Sequence, residues 1–249
     1  MSELTISVVT ATFNSEQTVA DTIASVNSQS YKQVEHVFID AVSTDATLKI
    51  IQDAARRSPL VVSEPDEGIY SALNRGLSVS NGDIVGFLHS DDLFAHDSVL
   101  ERVAGVFDHP DVEACFADLD YVSREDLTKV RRRWRSQNYC KNKLTRGWMP
   151  PHPTFYVRRS VLENWAFDTR YRISADYDFM LRVLLAGVRS VYIPEVIVKM
   201  RLGGVSNGSF RNLCQKSRED LHIIRRHRLG GVSTLALKNL QKVRQFVPL

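Results

Sequence analysis

The sequence predicts an α/β fold with a mixed, mostly parallel sheet flanked by helices. Through the first hundred residues, short runs rich in β-branched residues alternate with helical patterns, which is typical of βαβ units. The chain of 249 residues is long enough for one such domain with an appendage. The last 38 or so residues combine basic charge with an amphipathic helical pattern, so we expect a basic helical C-terminal tail.

The periodicity of apolar residues places individual elements along the chain. Strands or other extended segments are predicted over residues 4–10, 34–40, 60–63, 83–88, 113–117 and 191–202. Helices are predicted over residues 98–107 and 176–186, and another is predicted where Val19, Ile23 and Val26 share one face. Asn14 followed by Gln17 resembles the N-terminal cap of that helix. The basic run KVRRRWR (residues 129–135) is expected to be a mobile loop or an exposed element.

Composition narrows the class of protein and its compartment. Hydrophobic residues make up 43% and charged residues 24%, as in soluble globular proteins. We find no apolar run long enough to span a membrane, and MSELTISVVT lacks the features of a signal peptide. The three cysteines have no paired spacing that would indicate a zinc site or a disulfide framework. A cytoplasmic location is therefore expected.

Charge is distributed unevenly along the chain. Residues 124–146 and residues 211–249 each hold nine Lys or Arg against two Asp or Glu, so each segment carries +7. Because the whole chain carries +3, the remainder carries 3 − 14 = −11. The basic segments suit an anionic partner such as a phosphorylated lipid, a membrane surface or nucleic acid. Solvated helix faces are the alternative explanation.

Candidate ligand-binding residues follow the predicted strands, where open α/β sheets bind their ligands. Phe13 follows the first strand, Asp40 ends the second, Asp66 follows the third, and Asp91 with Asp92 follows the fourth. Two adjacent carboxylates after a buried strand are costly unless a cation balances them. Mg²⁺ or Mn²⁺, which shares oxygen ligands between carboxylates and phosphates, fits that requirement. Turn-forming or helix-capping acids are the structural alternative.

Several segments together carry a resemblance to a known family. They are TATFNSEQTV, IDAVSTDAT, EPDEGIYSALNRG, GDIVGFLHSDD, MPPHPTFYVRRSVL, ISADYDFMLR and RLGGVSN. Their order and intervals over residues 4–207 resemble glycosyltransferase family 2, particularly bacterial members that build surface or extracellular polysaccharides. The resemblance implies a GT-A-like fold, an inverting sugar transfer from a nucleotide sugar, and a metal ion.

The same resemblance implies a donor site at the strand ends. The residues implied to bind the nucleotide sugar are Ala11, Phe13, Asp40, Asp66, Gly68, Asn74, Asp91 and Arg201. The family's DXD signature falls on His89, Ser90 and Asp91, so histidine replaces its first acid. Asp91 is therefore the first choice for a Mn²⁺ or Mg²⁺ ligand, with Asp92 beside it. Ala41, Val42 and Ala46 stand where relatives often have glycine, which leaves the donor base open among UDP, dTDP and GDP.

On the acceptor side, the resemblance implies that Asp176 is the general base that deprotonates the attacking hydroxyl. A purely structural N-cap is the alternative for this residue. Asp178 is expected to support the site or to contact the acceptor. His152 is expected to contact the acceptor or a phosphate, with a histidine packed in a proline turn as the alternative. Arg201 with Gly203–Gly204 is expected to clamp the donor diphosphate or to form a closing loop.

The predicted organisation is a glycosyltransferase domain over residues 1–210, with a nucleotide-binding half (1–92) and an acceptor-binding half (93–210), followed by the tail (211–249). The implied acceptor is a glycan linked to a polyisoprenyl diphosphate. Trp134 among arginines indicates peripheral contact with the inner face of the membrane. A nucleotidyltransferase that makes nucleotide sugars and a non-catalytic binding protein are the alternatives. No nucleic-acid motif is present.

Overall fold

A parallel ladder forms the first half of the sheet in the computed structural model, which describes residues 4–162, 165–203, 210–243 and 245. Its strands are β1 (Ile6–Thr12), β2 (Val34–Asp40), β3 (Leu60–Ser63) and β4 (Ile84–Phe87). They lie in the order β3-β2-β1-β4 and all run parallel. β1, β2 and β4 are almost wholly buried, since helices cover both faces of a parallel sheet.

The second half of the sheet is mixed. Its strands are β5 (Leu93–Phe94), β6 (Ala114–Val122), β7 (Val130–Trp134), β8 (Tyr156–Arg158) and β9 (Ser190–Arg201). The order continues from β4 as β8-β6-β9-β5, and β7 pairs with β6. β8 is antiparallel to both β4 and β6, whereas β6 and β9 run parallel.

Helices cover the two faces of this sheet. They are α1 (Val19–Asn27), α2 (Thr47–Ala54), α3 (Ile69–Val79), α4 (Val99–Phe107), α5 (Lys141–Leu144), α6 (Arg159–Leu162), α7 (Ala175–Leu185), α8 (Phe210–Arg226) and α9 (Val232–Val243). A short 3-10 turn spans His152–Thr154. Alternate residues of β1 point to opposite faces, so Val9 packs in one cluster with α3 and α7 while Ile6 and Val8 pack in another with α4.

The basic C-terminal helices pack onto the domain. Ile223 and Ile224 of α8, and Leu229 after it, are buried in the same hydrophobic cluster as α7. The short connection after α8 makes α8 and α9 a helical hairpin, as is usual for antiparallel neighbours. The boundary predicted near residue 210 falls where α8 begins, and the helices beyond it share the core of the preceding half.

The observed architecture confirms the predicted fold class, and β2 and β3 have the predicted bounds. One local prediction was wrong. α1 begins at Val19, and Asn14 instead accepts a hydrogen bond from Thr44 N through its side-chain oxygen. The basic run is mostly strand β7, which is an exposed element, and Arg135 directly after it lies 2.8 Å from Asp120 of β6.

Within the described residues, no helix combines the length and apolar character that crossing a bilayer requires.

Gly86 of β4 allows Tyr156 of β8 to lie directly against the strand. A Cβ atom at Gly86 would come 2.2 Å from the ring of the fully buried Tyr156. We therefore expect Gly86→Ala to destabilise the protein by about 1–3 kcal/mol through overpacking. Gly105→Ala is the matched control, because nothing lies within 4 Å of that site in α4, and it should stabilise by about 0.5–1 kcal/mol. Urea unfolding of both variants measures the difference, and equal effects would contradict this account.

Candidate active site

An acidic turn joins β4 to β5 at the carboxyl end of the parallel strands. The turn is closed by a hydrogen bond from Asp92 N to the carbonyl of His89, at 3.0 Å. The Thr22 hydroxyl of α1 donates to the carbonyl of Asp92 at 2.8 Å. Asp92 is fully buried, whereas Asp91 is partly exposed. The two adjacent carboxylates therefore have different surroundings.

Asp92 has little to compensate for its burial. Its Oδ1 accepts a hydrogen bond from Arg201 N at 3.3 Å, and its Oδ2 has no partner among the described residues. Burial raises the pKa of Asp92 well above its ordinary value, and the charge of Asp91 raises it further, although Arg201 acts in the opposite direction. A buried carboxyl oxygen without a partner beside a second carboxylate is a suitable setting for a cation.

Arg201, at the end of β9, contacts both aspartates of this turn. Its guanidinium donates to the carbonyl of Asp91 at 3.1 Å and forms an ion pair with Asp21 of α1. Only 5% of Arg201 is exposed, and its Nε has no hydrogen-bond partner among the described residues. The predicted clamp on the donor diphosphate stays a prediction, and Gly204 of the expected Gly203–Gly204 pair lies outside the described residues.

Asp176 lies near this turn, at the start of α7. The N-cap of the helix is Ser174, so Asp176 is the second helical residue and the capping alternative does not apply. The Tyr70 hydroxyl lies 3.2 Å from Asp176 Oδ1 and donates to the carbonyl of Ile173 at 2.7 Å. Asp176 is partly exposed and lies in the first turn of α7.

Glu219 of α8 holds the loop that carries Asp176. Its Oε1 accepts from Arg172 N at 3.0 Å, and its Oε2 accepts from Ile173 N and Ser174 N at 2.9 Å each. These are charge-assisted bonds to three successive backbone N–H groups, which makes them stronger than neutral ones. The C-terminal helices therefore fix the position of Asp176 in the cleft.

His89 and His152 link the two acidic parts of the site. Their rings are 5.8 Å apart, and the ring of His152 stacks on Phe87 at 5.0 Å. Burial lowers the pKa of His89, while the charges of Asp91 and Asp176 oppose that shift. Burial lowers the pKa of His152 to about 4, so this ring is neutral at physiological pH. Nε2 of His152 has no partner among the described residues, and the ring is almost wholly enclosed.

The ends of β1 and β2 form an aromatic edge. Phe13, directly after β1, is 62% exposed, which is unusual for a large apolar side chain and suits stacking on a flat ring. Ala11, near the end of β1, is partly buried beside it. Val42 has φ +55°, a left-handed conformation that a β-branched residue rarely adopts, at one of the positions where relatives often have glycine.

Asp40 organises this edge from inside the protein. Its carboxylate accepts four hydrogen bonds, from the hydroxyls of Thr12, Ser43 and Ser63 and from Ser43 N. Burial acts to raise the pKa of Asp40, but these hydrogen bonds outweigh it and hold the pKa below its ordinary value. The side chain is fully buried, so in this structure Asp40 reaches the edge only through its hydroxyl partners.

The start of α3 supplies the remaining predicted donor residues. Asp66 Oδ1 accepts from Gly68 N at 2.8 Å, and Gly68 has φ +122° just before the helix. Asn74 exchanges two hydrogen bonds with the backbone of Phe167, at 2.9 and 2.7 Å. Asn74 therefore shapes the cleft indirectly, since both bonds hold the segment between α6 and α7.

The acceptor contact predicted for Asp178 does not fit this structure. Asp178 is fully buried, with Oδ2 2.7 Å from Arg182 Nε and Oδ1 2.8 Å from His227 Nε2. Burial acts to raise the pKa of Asp178, but His227 and Arg182 outweigh it and hold the pKa below its ordinary value. Asp178 is two positions after Asp176, so the helix turns it away from the cleft and toward α8.

The predicted metal ligands fit a cation that is shared with a phosphate group. No group of three or more His, Cys, Asp and Glu within the described part of the chain is placed to hold a metal by itself. Asp91 and the unpartnered Oδ2 of Asp92 offer two carboxylates. Mg²⁺ and Mn²⁺ sites commonly need no more, since waters and substrate phosphates complete them.

Two residues of the site were missed by sequence reasoning. Tyr70 lies within the motif EPDEGIYSALNRG, so its position in that segment was an available signal. Glu219 lies in the basic tail, where two adjacent acids among nine cations predict only a solvated helix face. Nothing in the sequence indicates that it meets backbone N–H groups 45 to 47 residues earlier.

Comparison with known sequences agrees with this geometry. The sequence profile of glycosyl transferase family 2 matches residues 7–169, more than half of the chain. An uncharacterised glycosyltransferase of Mycobacterium tuberculosis strain H37Rv is 28% identical over 238 residues, covering 91% of this chain and 87% of the relative. The putative glycosyltransferase EpsE of Bacillus subtilis is 27% identical over 209 residues, covering 79% and 72%.

Solved structures share the fold. S. aureus TarS residues 1–349 match with a TM-score of 0.67 at 17% identity, covering 98% of this chain and 72% of that one. The chain spans 44% of the longer TarS chain. A mannosyltransferase from Pyrobaculum calidifontis, in complex with GDP-Man and Mn²⁺, matches with a TM-score of 0.66 at 18% identity, covering 96% and 69%. At these identities the likeness establishes the fold, which is the expected GT-A-like arrangement.

Asp92→Asn is expected to stabilise the protein at neutral pH. Because the folded state raises the pKa of Asp92 above its ordinary value of 3.8, the native chain loses stability as the pH rises through that range. Removing the buried charge should add about 1–3 kcal/mol at about pH 8 and much less at about pH 4. Urea unfolding at both pH values measures this difference. The control is Asp53→Asn, at an exposed position of α2. A less stable Asp92→Asn variant at the higher pH contradicts the account.

Glu219→Gln is expected to loosen the loop before Asp176. The uncharged amide keeps one acceptor oxygen where the carboxylate had two, so about 1–3 kcal/mol of local stability should be lost. Amide hydrogen exchange at Arg172, Ile173 and Ser174 should quicken about tenfold or more, since these N–H groups lose their partner. Glu125→Gln, an exposed acid elsewhere, should leave these three amides unchanged. Unaltered exchange in Glu219→Gln would remove Glu219 from this role.

Proposed function

The chain belongs to glycosyl transferase family 2 and is a glycosyltransferase; from this premise we propose that it transfers a sugar from a nucleoside diphosphate to an acceptor hydroxyl with inversion. The observation that carries the proposal is the convergence of the acidic turn and Asp176. The pKa of His89 is raised by the charges of both Asp91 and Asp176, against the lowering by burial, and that of His152 is raised by Asp176 in the same way. Family membership decides against the nucleotidyltransferase and the non-catalytic binding protein.

The proposed donor site runs from the aromatic edge to the acidic turn. Phe13 and Ala11 would flank the base, and Asp40 would hold Ser43 and Thr12 in position against it. Asp66, Gly68 and Asn74 would shape the pocket beside the sugar. Structures of TarS with UDP-GlcNAc and of the mannosyltransferase with GDP-Man support a nucleotide-sugar donor. UDP, dTDP and GDP all remain compatible with this edge.

Asp91, with Asp92 beside it, is the proposed holder of Mn²⁺ or Mg²⁺. When bound, the cation would offset negative charge on the departing diphosphate. The Mn²⁺ in the mannosyltransferase structure supports divalent metal use, and the unpartnered Oδ2 of Asp92 suits a cation. Arg201 would keep both carboxylates in place by holding the backbone of the turn, and through it the diphosphate.

Asp176 is the proposed general base. As the acceptor oxygen attacks the anomeric carbon, its proton passes to Asp176 and the bond to the diphosphate breaks on the opposite face, which inverts the configuration. Tyr70 contacts the carboxylate of Asp176, and Glu219 holds the loop before it. The neutral, almost wholly buried ring of His152 would line the cleft near the acceptor. A single displacement needs no covalent intermediate on the protein.

The proposed acceptor is a glycan on a lipid diphosphate carrier, used in polysaccharide biosynthesis. A relative that is 26% identical over 207 residues is named a PGL/p-HBAD biosynthesis glycosyltransferase in Mycobacterium bovis, which supports a role in building surface glycans. Residues 1–92 would bind the donor and residues 93–210 the acceptor. The two basic segments would bring a cytoplasmic enzyme to the inner face of the membrane.

Asp176→Asn tests the proposed mechanism. The amide cannot accept the proton, so sugar transfer should fall by about a hundredfold or more while donor binding is retained. Asp91→Asn should instead weaken binding of the nucleotide sugar in the presence of Mn²⁺, and Asp53→Asn should change neither quantity. Candidate nucleotide sugars are screened for hydrolysis and transfer, with binding followed by calorimetry. Full transfer activity in Asp176→Asn would reassign the base, and no consumption of any donor would refute the proposed function.

A further inference from the structure

Two lysines face each other across the helical hairpin of α8 and α9. The hairpin register is fixed by Lys238 Nζ, which lies 2.8 Å from Asp220 Oδ2, with both side chains almost fully buried. Lys216 precedes Asp220 by one turn of α8, and Lys242 follows Lys238 by one turn of α9. Because the helices are antiparallel, these two turns lie opposite each other. Lys216 and Lys242 are therefore brought together by the same register that pairs Asp220 with Lys238.

This end of the hairpin lies against the start of α7. Lys238 Nζ sits 3.3 Å from the ring centroid of Tyr177, which follows Asp176. Glu219, three residues after Lys216, holds the loop before Asp176. The face of α8 that carries Lys216 therefore also carries Glu219, which holds the loop before the proposed general base.

Arg132 of β7 lies at the same end of the hairpin. Its Nε donates to Oε1 of Gln245 at 2.6 Å, three residues after Lys242. Its guanidinium lies 4.4 Å from the ring centroid of Tyr121 in β6. The Tyr121 pKa is raised by burial, lowered by Arg132, and raised by Asp92 and Asp176, so this ring lies between the cation and the acidic site.

Lys216 and Arg132 both lie close enough to Lys242 to act on its charge. Burial, Lys216 and Arg132 together lower the pKa of Lys242 to about 8, although Asp220 and Asp176 oppose the shift. The nearest acid, Asp220, is already paired with Lys238. Among the described residues, Lys216 has no acid at ion-pair distance, and Lys242 donates to the neutral side chain of Asn239 at 3.1 Å. Like charges gathered in a partly enclosed place are stabilised by a bound anion.

We propose that Lys216, Lys242 and Arg132 form a binding site for a phosphate group carried by the acceptor. This inference rests on the proposed function, because it takes Asp176 to be the base beside which the acceptor lies. The donor edge is formed by β1, β2 and β3, whereas β7 pairs with β6 on the other side of β4. The cations therefore lie on the acceptor side of Asp176. A phosphate held there would place a nearby hydroxyl of the same molecule toward the carboxylate.

Binding of inorganic pyrophosphate to the full chain tests this site. Calorimetry in the presence of EDTA prevents any metal-linked binding at the acidic turn. Lys216→Gln/Lys242→Gln should weaken pyrophosphate binding by at least about tenfold, since two charge-assisted contacts are lost. The matched control is Arg211→Gln/Arg218→Gln, which removes the same charge from exposed positions, both on another face of α8. No binding by the wild type, or equal weakening in both double variants, would overturn the proposal.

Two further measurements separate the possible sources of the phosphate. Phosphatidylcholine vesicles with and without phosphatidic acid show whether the site accepts a phosphate presented on a lipid. Sedimentation that needs both phosphatidic acid and the two lysines supports a lipid-borne acceptor, whereas pyrophosphate binding without sedimentation supports a soluble phosphorylated one.

The KM for the donor in nucleotide-sugar hydrolysis should be unchanged in Lys216→Gln/Lys242→Gln. A raised donor KM would assign the cations to the donor diphosphate and overturn the acceptor site. Absence of donor hydrolysis in the wild type would instead count against the proposed function, since pyrophosphate binding does not depend on it.

Discussion

The active site depends on negative charge that is held at the carboxyl edge of the sheet without a full set of positive partners. Asp92 is fully buried beside Asp91, and its Oδ2 has no partner among the described residues. Arg201 steadies the turn through one backbone and one guanidinium contact. Burying a carboxylate in this way is costly unless a cation or a proton compensates. The fold therefore keeps this unfavourable burial of a carboxylate at the place where a diphosphate and its cation would offset it.

The second half of the chain determines the position of Asp176, the proposed general base. α7 is anchored on its inner side by Asp178, which is paired with Arg182 and His227, and the loop before it is held by Glu219. His227 and Glu219 both belong to the C-terminal region that composition alone describes as a basic tail. That region therefore helps to position the proposed general base. Its cations Lys216 and Lys242 extend the same arrangement toward the acceptor side.

Charge that looks unbalanced in the sequence is partly balanced in space. The basic run that includes β7 lies beside β6, and Arg135, directly after β7, forms ion pairs with both Asp118 and Asp120 of β6. Lys238 is buried with Asp220. The charge that stays unmatched, at the acidic turn and at Lys216 with Lys242, lies on either side of Asp176. This division of charge is what the proposed transfer between two anionic substrates requires.

The sequence by itself determined the fold class, most element positions and the family, because β-branched runs, helical periodicity and ordered motifs are local signals. It also predicted that Asp91 follows the fourth strand and that Asp176 lies at the start of a helix, as the structure has them. Only the tertiary structure decided that Asp178 is enclosed, that Asp40 acts through hydroxyls, and that Glu219 holds the loop before Asp176. Those roles depend on contacts between residues far apart in the chain, for which a single sequence carries no periodic or spacing signal.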